Sequence, residues 1–153
     1  MAFFKRILFP VDLSEASERM APYVKKVVNQ FEAELHIIYV KYVDQYYLAT
    51  FVNETMFETT ADEESRIRKF VDSNFEDLNI STEILQGPPG TEIVRYSEEQ
   101  KMDLIVMGHN STGLLRAAFG SVAGYVVKHS QVPVLIISPN MLRKKKSKHK
   151  SVA

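Results

Sequence analysis

The residues of this chain best suited to chemistry are Gly108-His109-Asn110-Ser111-Thr112-Gly113, closed further on by Gly120-Ser121. They follow the apolar run Leu104-Ile105-Val106-Met107. A buried strand that breaks into small, hydroxyl-bearing residues and then enters a helix is suited to hold an anion. The first N–H groups of a helix have no acceptor within it, and the helix dipole favours negative charge there. Glycine lets the backbone approach a ligand closely and take positive φ. A second group, Pro10, Asp12 and Ser14, ends another apolar run, Arg6-Ile7-Leu8-Phe9-Pro10-Val11. Asp12 can accept from a sugar hydroxyl or stand with a metal beside phosphates, and it can equally cap the helix that follows. Ser121 offers a hydroxyl and an N–H to phosphate, or serves as an N-cap.

Other chemistries lack their residues. The glycine loop is no Walker A motif, because no Gly-Lys-Ser/Thr follows it. Arg116 is the fixed cation nearby and fits either a phosphate partner or a solvated helix position. His109 reads as an exposed loop histidine. His36, His129 and His149 fall in separate elements without metal-ligand spacing, and His36 is expected to pack at a strand edge. No Ser–His–Asp set or carboxylate pair can be assembled, so no catalytic residue and no protein metal site is assigned. The chain has no cysteine, which excludes disulfides, thiolate metal sites and a cysteine nucleophile.

The elements that must position these residues alternate. Strands are expected at 6–11, 34–40, 81–85, 103–107 and 132–137. Helices are expected from 14 to about 30, then at 61–77, 91–100 and 119–130. The first carries Glu15 and Glu18 in its opening turn and Ala16, Met20, Val24 and Val28 on an apolar face. Gly87-Pro88-Pro89-Gly90 reads as a turn. Residues 41–60 are less regular and rich in aromatics, with Val43, Tyr47 and Phe51 at helical spacing. They read as a loosely packed crossover, a lid or a partner surface. Alternating strands and helices imply an α/β fold, a doubly wound five-stranded parallel sheet with helices on both faces. Ligands of such sheets bind beyond the carboxyl ends of the strands, where strand order reverses. In the order 3-2-1-4-5 the first and fourth strands flank that reversal, and the two clusters face one crevice.

With 153 residues the chain fits one domain, 1–140, followed by a basic tail, 141–153, expected to be unfolded. Residues 143–150 hold six of the 19 basic residues, leaving 13 against 19 acidic ones in the body. An acidic body argues against a specific nucleic-acid reader. The tail suits contact with anionic surfaces through charge alone, or solubility. No apolar stretch approaches the roughly 18 residues of a membrane span. Lys5 and Arg6 interrupt the apolar N-terminus, so no signal peptide is read and a cytoplasmic location is expected.

Over residues 3–138 the chain resembles the A-type universal stress proteins. The matching pieces are Ile7-Leu8-Phe9-Pro10-Val11-Asp12-Leu13-Ser14, Ala33 to Val40, Gly87-Pro88-Pro89-Gly90, and Asp103 to Gly108 through Gly120-Ser121-Val122-Ala123 to Ile137. The resemblance implies a parallel five-stranded sheet and a homodimer through the last strand. It also implies a stress-response sensor or regulator that binds ATP or a related adenine nucleotide, with Mg²⁺ or Mn²⁺ as accompanying ion. Nucleotide-binding members carry Gly, two residues, Gly, nine residues, then Gly-Ser or Gly-Thr. Here Gly108 and Gly120-Ser121 match the ends, the loop is one residue short, and Asn110 stands at the middle glycine. Asn enters the left-handed region more readily than most residues. Asp12 matches the acidic residue near the ribose, and Val40 the position whose backbone reads adenine. The implied binding residues are therefore Pro10, Asp12, Ser14, Val40, Gly108, Asn110, Gly120, Ser121 and Val122. The short loop also fits a rival, a dimeric interaction module without nucleotide. A third reading is a weak ATPase in which Asp12 and a metal orient water.

Overall fold

The structure, a computed structural model, describes residues 3–42, 61–108 and 120–138. Its elements are β1 (Arg6–Val11), α1 (Glu15–Phe31), β2 (Glu34–Lys41), α2 (Ala61–Asn74), β3 (Ile80–Gln86), α3 (Pro89–Glu99), β4 (Leu104–Gly108), α4 (Ser121–His129) and β5 (Val134–Ile137). All strand pairs are parallel, in the order β3-β2-β1-β4-β5. The central strands are apolar on both faces because both faces are covered. Ile7, Phe9, Leu35, Ile37 and Val106 pack with Met20, Val24 and Val28 of α1, Phe70 of α2 and Phe75 beyond it. Leu8, Ile38, Ile105 and Met107 pack on the other face with Ile93 and Tyr96 of α3 and Ala123 and Val126 of α4.

The register explains where the sheet opens. β1 pairs with β2 along its whole length, to Val11↔Tyr39. With β4 it pairs only at Ile7↔Leu104 and Leu8↔Ile105. β4 itself continues along β5 to Gly108↔Ile137. The amino ends of β1 and β4 are held together by Asp103, whose carboxylate accepts from the N–H groups of Lys5 and Arg6 at 2.9 Å each. The two central strands thus part toward their carboxyl ends. Pro10 lies past the last β1–β4 rung, where its missing N–H leaves no rung unmade.

Several boundaries differ from the sequence expectation. Pro89, read as part of a turn, starts α3, because proline is preset for the first turn of a helix. α2 stops at Asn74, three residues early, and β5 starts only at Val134. Gly120 is the N-cap of α4 and Ser121 is its first residue, so Ser121 is not the cap. The aromatic segment at 43–60, the loop at 109–119 with His109, Asn110 and Arg116, and the tail lie outside the described residues.

His36 is a correction of another kind. It was expected at a strand edge, but β2 is interior and His36 is 5% exposed. Its Nδ1 meets the Tyr96 hydroxyl at 2.9 Å and its Nε2 meets Glu34 at 3.1 Å. Arg6 closes on Glu34 at 3.2 Å. Both ring nitrogens are thereby satisfied, as a buried imidazole requires.

Candidate functional site

Where β1 and β4 separate, a cavity of about 290 Å³ opens. Its walls come from the carboxyl ends of β1, β2 and β4, the first turns of α1 and α3, and the start of α4. This is the switch point of a doubly wound sheet, where ligands bind.

The turn between β1 and α1 is built around Asp12. Its Oδ1 accepts from the Ser14 N–H at 2.9 Å and from the Ser17 hydroxyl at 2.8 Å. The Asp12 N–H in turn donates to Ser17 Oγ at 3.2 Å. To bring the Ser14 N–H back over the carboxylate, Leu13 adopts φ 61°, a left-handed conformation unusual for a side chain of its size. Ser14 is the N-cap of α1 but makes no side-chain capping bond. Its hydroxyl is buried beside the Asp12 carboxylate, and its N–H makes the better-aligned contact. Burial pushes the Asp12 carboxyl up. The Ser14 hydroxyl and N–H and the Ser17 hydroxyl outweigh that, and its pKa lies below the ordinary carboxylate value. Asp12 is therefore an anion at neutral pH.

The opposite wall is the start of α4. The first intrahelical bond runs from Gly124 N–H to Gly120 O at 2.8 Å. The N–H groups of Ser121, Val122 and Ala123 precede it and have no acceptor within the helix, and all three residues line the cavity. They are short of side chain at Ser121 and Ala123, so an anion can approach the helix end. Val40, next to last in β2, stands on a third side, and Met20, Ile93 and Met107 make the remaining wall largely apolar. An apolar wall, a carboxylate and a helix N-terminus fit a base, a sugar hydroxyl and a phosphate in turn. Asp12 is the sole ionisable side chain among the described lining residues. No group of three or more metal-ligating side chains occurs among the described residues.

Of the nine residues implied by sequence, Pro10, Asp12, Val40, Gly108, Gly120, Ser121 and Val122 line this cavity. Ser14 stands behind Asp12 rather than on the wall, and Asn110 lies outside the described residues. Sequence reasoning missed Ser17, Pro89 and Ile93. Ser17 had a signal: it sits three residues after the N-cap, where a side chain reaches back over the helix start. Pro89 and Ile93 had none, because only the packing of α3 brings them to the carboxyl end of the sheet.

A sequence model of the universal stress protein family matches residues 3–138. The chain is 37% identical over 144 residues to universal stress protein MJ0531 of Methanocaldococcus jannaschii, covering 88% of this chain and 82% of that one. The solved structure of MJ0577 from the same organism superposes with a TM-score of 0.75 at 26% identity, covering 94% of this chain and 99% of that one. A universal stress protein in complex with cAMP superposes with a TM-score of 0.67 at 21% identity, covering 88% and 97%.

Proposed function

The chain belongs to the universal stress protein family, and from that premise we propose that it binds an adenine nucleotide in the crevice between β1 and β4 and acts as a sensor or regulator in a stress response. One observation carries the reading: the cavity joins the Asp12 carboxylate to the N-terminal turn of α4 across an apolar slot. The adenine packs between Val40 and the apolar wall. Asp12 accepts from the ribose, and the N–H groups of 121–123 meet phosphate. That a related fold holds cAMP supports this ligand class. A triphosphate would bring several negative charges toward an anionic Asp12; Mg²⁺ or Mn²⁺ bound to the phosphates would offset them, and Asp12 is the described lining side chain that would help hold it.

Isothermal titration of the folded protein with ATP and Mg²⁺, and with cAMP, tests the reading. Binding at or below millimolar ligand is expected, weakened about tenfold or more by Asp12→Ala. No heat from either nucleotide at millimolar concentration overturns it.

The same family premise supports a homodimer through β5. Among the described residues β5 pairs only with β4, which makes it one edge of the sheet. Leu135 on it is 40% exposed and Val127 on α4 is 45% exposed. An apolar sheet edge of this kind needs cover.

A further inference from the structure

Ser17 lies in the first turn of α1, is 5% exposed, and lines the cavity. Its hydroxyl spends both its proton and a lone pair on one residue. It donates to Asp12 Oδ1 at 2.8 Å and accepts from Asp12 N–H at 3.2 Å. With the Ser14 N–H on the same Oδ1, this closes a ring across the left-handed Leu13. The Asp12 side chain therefore cannot rotate without breaking two hydrogen bonds at once.

We propose that Ser17 is the positioning residue of this site: it holds the Asp12 carboxylate as a fixed acceptor facing the cavity, and so makes the site select ribonucleotides over 2′-deoxyribonucleotides. The proposal rests on the nucleotide reading of the crevice. A carboxylate free to turn recovers water when a sugar hydroxyl is absent. One held by Ser17 takes the bond from that hydroxyl without first being ordered, so the deoxy sugar forfeits a stronger, charge-assisted bond. The depressed pKa of Asp12 fits this arrangement, since the same bonds keep the carboxylate ionised and ready to accept.

The test compares ATP and 2′-deoxy-ATP, each with Mg²⁺, on the full chain and on Ser17→Ala, Ser17→Cys and Ser17→Thr. The wild type is expected to prefer ATP by about tenfold, one good hydrogen bond to a charged group. Ser17→Ala and the near-isosteric Ser17→Cys bring that ratio toward one, chiefly by weakening ATP, and Ser17→Thr restores it. Without nucleotide, the Asp12 carboxyl titrated by ¹³C NMR rises toward the ordinary carboxylate value in Ser17→Ala and Ser17→Cys. A purely structural Ser17 would weaken both nucleotides equally and leave the ratio alone, which overturns the proposal. Equal binding of both nucleotides by the wild type also overturns it while the nucleotide reading stands. Failure of the wild type to bind either one removes both.

Discussion

At Asp12 desolvation and hydrogen bonding act in opposite directions, and the hydrogen bonds win. The folded-state pKa lies below the unfolded one. The carboxylate's contribution to stability is therefore complete above the ordinary Asp value and is lost as pH falls through the folded pKa. Denaturant midpoints measured from neutral pH down to about pH 2.5 are expected to drop more for the wild type than for Asp12→Asn. Parallel acid limbs would contradict the ring seen around Oδ1. Asp12 also shows how one residue's position bears on two readings at once. Sequence left ribose acceptor and helix cap side by side. The structure places it two residues before the N-cap, bonding to the cap's N–H, and also on the cavity wall. His36 carries the opposite lesson. Its type suggested an edge, yet its polar atoms find Tyr96 and Glu34, residues from α3 and from its own strand. Nothing local in Leu35-His36-Ile37 announces those partners.

Among the elements, the packing of α3 on α4 governs the site most directly. Gly90 in the first turn of α3 meets Tyr125 of α4 so closely that a Cβ would lie 2.7 Å from Tyr125 Cδ1 and 2.9 Å from its Cβ. A rotamer change can move the ring but not the Cβ, so the helices themselves must separate. Gly90→Ala is expected to cost about 1–3 kcal/mol, an overpacking penalty. At about 2–4 °C per kcal/mol for a chain of this size, a calorimetric scan reads it as a clear drop in Tm. Pro89 and Ile93 of α3 and residues 121–123 of α4 line the same cavity. Gly90→Ala is therefore also expected to weaken nucleotide binding, and unchanged affinity would separate α3 from the site. The turn motif Gly87-Pro88-Pro89-Gly90 was legible as a break in the chain. Its role as the close contact between two helices was not, because Gly90 and Tyr125 are 35 positions apart in the sequence.

For the whole molecule, the sheet formed by the described residues ends on β3 and β5, and the proposed dimer covers the second. Light scattering at tens of micromolar is expected to give twice the chain mass. Leu135→Arg, which sets a charge on that exposed apolar strand, is expected to return the mass of one chain. A wild type of single mass would refute the β5 interface. At this scale the sequence by itself determined the class of fold, the succession of elements and the family. Those properties are written in local periodicity: apolar runs of strand length, amphipathic helices between them, and short motifs in fixed order. It also brought Pro10, Asp12 and Gly108 forward as the ends of strands facing one crevice. The tertiary structure decided that the sheet splits after Leu8 and Ile105, that Ser17 fixes Asp12, that α3 walls the cavity, and that His36 is buried. Each of these depends on contacts whose partners lie far along the chain or on the precise direction of a side chain after a left-handed turn. A hydrophobicity pattern encodes which face of an element is buried. It does not encode which neighbour is waiting there, and that is fixed only when the elements pack.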